Sequence, residues 1–282
     1  GSSAATAACA RSRLERPSSV TGGDGGSATS ATVTGCGAAF TASRISGLGS
    51  FRSVLRTGSS GAVARATTAF AYTDFGPAGA VVEDTVIADL GIRTIRFANG
   101  VLLNLKKTNF EDNRVRYSLR IDGGRLHFAK DKAVLAWLMS GAYVSGGLAA
   151  HDFEDLRSLL AGTTVTPAFG VAEDYFGGTG AVAPVDLERQ LQVMAAYTKY
   201  PGYADSALRL FRRPLPEIFA RLDATPGSAL SVAMARIMTD NDPRFALAPL
   251  EDIQAADFSQ LKSALGDALI QNRIEIAIVG DL

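Results

Sequence analysis

The clearest alternation of apolar and polar positions lies between Ile92 and Gly124. Thr94, Ile95 and Phe97 form one short run, Leu102, Leu103 and Leu105 a second, and Asn99-Gly100 lies between them. Asn-Gly between two apolar runs predicts a two-residue hairpin of type I′, a turn that needs positive φ at both central positions. A third strand follows a polar break. Val115, Tyr117, Leu119 and Ile121 alternate there with Arg116, Ser118 and Arg120, so one face is expected to be buried and the other wet.

Beyond this stretch the period lengthens. Asp131 to about Tyr143 carries Val134, Leu135, Trp137, Leu138 and Met139 with few polar interruptions, which predicts a largely buried helix ending towards Gly146-Gly147. A second helix is expected from about Asp152 to Leu160, with Asp152 as its N-cap and Phe153, Leu156, Leu159 and Leu160 as its stripe. Thr163 to Phe176 reads as strands, with Gly170 a bulge or turn. Pro184 suits the first position of a helix reaching about Tyr200, and Ala204 to Leu222 predicts another that Pro214 and Pro216 kink or split. Ser228 to Met238 is a further helix, and Asp257 with Gln260 forms a capping box before Leu261, Leu265 and Leu269. Ile274 to Asp281 closes the chain as a strand. The order is strands, two helices, strands, several helices and a last strand, which predicts an α+β fold: a mostly antiparallel sheet covered by helices. No repeat of 20 to 50 residues is present.

The patterning stops upstream. Residues 1–66 are rich in alanine, serine, glycine, threonine and arginine, nearly lack aromatic and acidic side chains, and show no sustained apolar period. Such a segment is expected to be disordered or poorly ordered, because it buries too little surface to offset its ordering entropy. It reads as a linker or a tract of uncertain origin, with a basic binding tail on Arg11, Arg13, Arg16, Arg44, Arg52 and Arg56 as the alternative. Residues 67–91 read as an extended lead-in, anchored by the aromatics of Phe70-Ala71-Tyr72-Thr73-Asp74-Phe75, and residues 92–282 as the globular domain.

Composition narrows the chemistry. With 28 basic against 28 acidic residues, no polyanion-binding surface covers the molecule, and nucleic acid is not expected as a partner. Cys9 and Cys36 both lie in the unpatterned segment, so a disulfide would staple only a loop. No apolar run is long enough for a membrane span, and no signal peptide is visible. The opening Gly-Ser-Ser reads as an internal cut or an expression scar. Gly58-Ser59-Ser60-Gly61 lacks the Lys-Ser/Thr of a phosphate-binding loop, and no G-x-S-x-G elbow, dinucleotide fingerprint or C-x-x-C is present. A soluble protein is expected, and bacterial cytoplasm and periplasm both fit.

The segments FAYTDFGPAG, IRFANGVLLNLKKTNFEDNRVRYSLRIDGG, GGLAAHDFEDLRSLLAG, DLERQLQVMAAYTKYPGY and IEIAIVGDL together resemble one domain of the insulinase/pitrilysin family of zinc metallopeptidases, the inverzincins. The resemblance covers about residues 70 to 282 and points to the first domain of the second, non-catalytic half. It implies two halves of two α+β domains each, enclosing a chamber, with zinc held in the catalytic half by H-x-x-E-H on a helix and a distant third ligand. Carried onto this chain, the two histidine positions hold Trp137 and Gly141 and the glutamate position holds Ser140. Glu217 falls near the third ligand and, without the others, reads as a solvated helix residue. The chain is therefore expected to have no catalytic, cofactor-binding or metal-binding residue of its own, and to bind no cofactor.

Two histidines need weighing. His151-Asp152-Phe153-Glu154-Asp155 reads H-x-x-E-D, and aspartate can ligate zinc. Against a metal site stand its position about ten residues past the family's catalytic helix, its place at a helix start and the lack of a third ligand near in sequence. His127 reads as a sheet-edge residue. Lys106, Lys107, Arg114, Arg116 and Arg120 read as the wet face of the sheet, with a chamber wall attracting acidic or unfolded peptides as the alternative. The function implied is a non-catalytic segment of an insulinase-like peptidase, forming chamber wall and partner to an H-x-x-E-H half that cleaves a peptide substrate. The alternatives are a scaffold or binding module of the same fold with no protease role, and an unrelated α+β enzyme whose site assembles from scattered Asp, Glu and Tyr.

Overall fold

The computed structural model describes residues 69–222 and 224–282, so the expectations for residues 1–66 fall outside it. Seven strands form one mixed sheet: β1 Val81–Ile87, β2 Ile92–Phe97, β3 Leu102–Lys107, β4 Val115–Asp122, β5 Gly170–Val171, β6 Tyr175–Val182 and β7 Ile274–Gly280. Their spatial order is β1-β2-β3-β7-β4-β6-β5. Only the β3–β7 pairing is parallel, and the other five are antiparallel. The α+β reading with a mostly antiparallel sheet holds.

Among the described residues, ten α-helices accompany the sheet. They are α1 Gly124–His127, α2 Leu135–Gly141, α3 Phe153–Leu159, α4 Leu187–Lys199, α5 Asp205–Arg212, α6 Leu215–Ala220, α7 Pro226–Met238, α8 Leu250–Ala255, α9 Phe258–Leu265 and α10 Ala268–Gln271. The alternation in β4 is carried out as read, with Val115, Tyr117, Leu119 and Ile121 buried and Arg116, Arg120 and Asp122 exposed. The buried face meets Leu135, Leu138 and Met139 of α2, Val193, Met194 and Tyr197 of α4, and Leu261 and Leu265 of α9 in one core. The last strand is interior: β7 lies between β3 and β4, with Ile274, Ile276 and Ile278 opposite Ile121, Leu119 and Tyr117.

Several local expectations change. At the hairpin only Gly100 has positive φ (86°), and Asn99 does not. Gly100 N–H donates to the Phe97 carbonyl and Phe97 N–H to that of Val101, which makes a three-residue loop with a left-handed glycine rather than a type I′ turn. The helix expected over Asp131 to Tyr143 is shorter, running only over Leu135–Gly141 between single 3₁₀ turns at Lys130–Lys132 and Val144–Gly146. Within Thr163 to Phe176, only Gly170–Val171 and the start of β6 are strand. The backbone before them is taken by side chains: Thr164 N–H donates to Asp186, and Gln190, fully buried, both accepts from Thr166 N–H and donates to its carbonyl. The split at Pro214 and the caps at Asp152 and Asp257 stand as read. Strand β1, inside the stretch read as an extended lead-in, and helix α8 carry too weak a pattern to be seen in sequence. No described helix is long and apolar enough to cross a membrane.

Two joints lend themselves to measurement. Asp257 accepts from Gln260 N–H (2.9 Å) while the Gln260 side chain accepts from Asp257 N–H (3.0 Å). Asp257→Ala is expected to cost about 1 kcal/mol in urea unfolding. After α7, Asp242 receives two bonds from the Arg244 guanidinium and lies 3.6 Å from Lys130. The hydrogen bonds from Arg244 hold its carboxyl well below the usual carboxylate range. A carboxyl that is more acidic folded than unfolded stabilises the fold above about pH 4 and stops doing so as acid titrates it. Asp242→Asn should thus lower the melting temperature at neutral pH, with a shallower decline towards about pH 2 than the parent chain shows.

Candidate functional site

The three residues that the family resemblance sets at zinc-ligand and base positions, Trp137, Ser140 and Gly141, lie on helix α2, the first half-buried and the other two exposed. Trp137 is half-buried beneath the Arg125 guanidinium, 5.8 Å from its ring. The Ser140 hydroxyl donates to the Ala136 carbonyl one turn earlier (2.9 Å). Gly141 lies against Phe211 of α5 so closely that a Cβ on it would stand 2.1 Å from the ring. Side chains of this chemistry do not hold zinc. Glu217, near the third position, is exposed on α6 and pairs with Arg221.

The H-x-x-E-D segment divides between two environments. His151 is buried, and its Nε2 accepts the Ala71 N–H at 2.9 Å. Its ring stacks on Phe70 at 5.6 Å and meets Tyr72 edge-on. Tyr72 in turn stacks on Tyr200 (4.9 Å) and accepts the Ala150 N–H through its hydroxyl (2.7 Å). Arg189 of α4 lies over the outer face of Phe70 at 4.7 Å. Glu154 is exposed on α3 and paired with Arg157, and Asp155 N–H donates to the N-cap Asp152. His151 is thereby a clasp on the incoming chain, which sequence spacing does not reveal.

His127 ends the single-turn helix α1 rather than a strand. Its Nε2–H donates to the Ala264 carbonyl of α9 (2.9 Å), and its ring meets Phe176 edge-on, tying the exit of β4 to the last long helix. Tyr143 and Tyr197 exchange hydroxyl bonds with each other's segments: Tyr143 donates to the Tyr197 carbonyl and Tyr197 to that of Val144. Burial pushes both phenols well above their ordinary values. Among the described residues, no group of three or more His, Cys, Asp or Glu side chains is placed to hold a metal ion.

What remains chemically available is the sheet face away from α2 and α4. Strand register places Lys106, Arg116 and Arg120 on it, Lys106 and Arg116 flanking Val279. Glu111 holds both Arg114 and Arg116, Arg120 lies 4.2 Å over the Tyr175 ring, and Lys107 donates to the Leu282 carbonyl. A polar ladder crosses the same face: Thr94 Oγ1 donates to Asn104, and Asn104 Nδ2 to Glu275, each at 2.9 Å. Sequence reading had the cations and missed the ladder, because Asn104 and Glu275 are 171 residues apart. The face can hydrogen-bond an extended polar chain but contains no nucleophile beside a base.

Neither a family model nor a curated protein sequence matches the chain. Solved structures do. The ferredoxin protease FusC, in complex with Arabidopsis ferredoxin, is similar at a TM-score of 0.61 and 13% identity, over 77% of this chain and 24% of that one. The periplasmic protease PqqL from Escherichia coli gives 0.60 and 18%, over 82% and 25%. A peptidase M16 inactive domain from Pseudomonas fluorescens gives 0.55 and 18%, over 68% and 47%. The chain thus spans about a quarter of the first two. At these identities the likeness is one of fold, that of the insulinase-like M16 peptidases, active and inactive members alike.

If His151 is a clasp, His151→Ala should destabilise the domain by roughly 2–3 kcal/mol, through a lost ring and an orphaned Ala71 amide. Limited proteolysis should cut the segment before Gly76 faster in the variant. An unchanged cleavage rate would refute the assignment.

Proposed function

We propose that this chain is a non-catalytic segment of an insulinase-like zinc metallopeptidase, corresponding to the first domain of the inactive half. In that role it forms part of the chamber wall and partners an H-x-x-E-H half that performs peptide hydrolysis. The observation that carries the proposal is α2: the resemblance sets Trp137, Ser140 and Gly141 at the ligand and base positions, and a side chain at Gly141 would meet the Phe211 ring, 2.1 Å from its Cβ. Similarity to an M16 domain described as inactive supports it. Zinc and general base belong to the catalytic half, and no cofactor is bound by this chain.

The wall presented to the peptide is the polar sheet face, on which Thr94, Asn104, Glu275, Arg116 and Arg120 offer donors, acceptors and charges of both signs. An unfolded peptide shows its backbone and mixed side chains, and such a surface holds it by exchangeable hydrogen bonds rather than by one deep pocket. The assembly is soluble, in bacterial cytoplasm or periplasm, with neither nucleic acid nor a membrane span as partner.

Hydrolysis of a quenched fluorescent peptide should be undetectable with this chain alone. It should appear when the chain is mixed with an H-x-x-E-H half from the same genome, exceeding what that half achieves by itself. Activity of the isolated chain that a chelator abolishes, together with its loss in His151→Ala or Glu154→Gln, would overturn the proposal. Absence of any complex with that half would instead support a scaffold of the same fold.

A further inference from the structure

Helix α7 is built the wrong way round for a helix of a self-contained domain. Its smaller residues Ser228, Ala229, Val232 and Ala235 are the half-buried ones, while Leu230, Ile237 and Met238 are 60%, 67% and 72% exposed. None of its thirteen residues is buried. A helix of this length is marginal in water on its own and ordinarily persists by packing an apolar face. Its start is nonetheless well specified, with Pro226 in the first turn and a Thr225–Ser228 capping box, and Asn241 N–H closes its end on the Arg236 carbonyl. Leu230, Met234, Ile237 and Met238 follow the i, i+4, i+7, i+8 spacing of a helix that enters a groove.

The same chain carries such a groove. Between α4 and the sheet lies an open cavity of about 680 Å³, walled by Leu187, Leu191 and Met194 on the helix, Ile274 and Ile276 on β7, and Phe75 of the lead-in. Its one charged lining residue is Glu188, at the start of α4. The one charged residue of α7 is Arg236. Among the described residues neither side chain forms an ion pair. A basic apolar helix and an apolar groove with an acidic mouth match in shape class and in sign.

We infer that α7 of one copy seats in the α4–sheet groove of a second copy, with Arg236 meeting Glu188 across the contact. In a reciprocal pair each copy supplies one helix and one groove, so both uncovered surfaces are buried and the contact is made twice. Doubling matters, because a stable interface buries about 1,200–2,000 Å² in total and one helix face falls short of that. The contact does not depend on the peptidase proposal, since both of its surfaces belong to this chain.

Sedimentation equilibrium of the full chain from about 1 to about 100 µM should show a monomer–dimer equilibrium. Leu230→Glu with Ile237→Glu should leave only monomer, with the near-ultraviolet circular dichroism unchanged. Arg236→Glu and Glu188→Arg should each raise the dissociation constant about tenfold, and the two reversals combined should restore it. A parent chain that stays monomeric across this range overturns the inference. So does a dimer indifferent to the α7 substitutions, or one whose charge reversals fail to compensate. A monomer that instead binds an H-x-x-E-H half through α7 also overturns it, in favour of a different occupant.

Discussion

The structure depends on the insertion of β7 between β3 and β4. A strand at the end of the described chain completes the middle of the sheet, running parallel to β3 and antiparallel to β4. Until it arrives, the β1–β2–β3 ribbon and the β4–β6–β5 group have no ladder between them. Its two faces serve different purposes. Ile274 and Ile276 pack against the helix-covered core, while Glu275 joins Asn104 and Thr94 on the other side. One pleated strand therefore fixes both the core and the polar ladder, and a one-residue slip would exchange them. Pairing over so long a loop is entropically expensive, so the contacts that return the chain to β7 are part of what makes the sheet possible.

Those contacts are made at joints. His127 bonds to α9, Asn272 donates to the Asp122 carbonyl, and Arg125 donates to the Arg244 carbonyl, all around the corner where β4 leaves the sheet. At the opposite entry, His151, Tyr72 and Tyr200 clasp the incoming segment. Both histidines of the chain are used in this way, as hydrogen-bonding aromatic wedges. On α2 itself the Phe211 ring fills the space beside Gly141.

How much of this is legible in sequence follows from the range of each interaction. The β4 alternation, the Asp152 and Asp257 caps and the break at Pro214 are local, set by neighbours within four residues, and they read correctly. Strand β6 does not, because Gly177, Gly178 and Gly180 erase its alternation and its place comes from pairing with β4. Strand β1 is an exposed edge whose Asp84 and Glu83 are held by Arg93 and Arg96, so it carries no buried stripe to be seen. The hairpin turn was expected in the right place with the wrong geometry, since Asn-Gly fits a three-residue loop as well as a two-residue one. For the candidate site, the residue types on α2 were visible. Their packing, and the separation of His151 from Glu154, were not.

Displaced proton affinities often mark chemistry, because catalysis needs groups poised away from their ordinary values. Here each displacement has a structural cause. Asp186 is lowered by the Thr164 hydroxyl and amide, Asp257 by the Gln260 amide and the Ser259 hydroxyl, and Asp84, Glu111 and Asp242 by arginines beside them. Tyr117, Tyr143, Tyr197 and Tyr203 are raised by burial. These groups lie at helix starts, strand edges and inter-helix contacts rather than converging on one cavity. The α4–sheet groove, which Tyr117 alone of these groups lines, has largely apolar walls and a single carboxylate. Among the described residues the displaced affinities therefore record how the domain is held together, by caps, by ion pairs and by buried phenols.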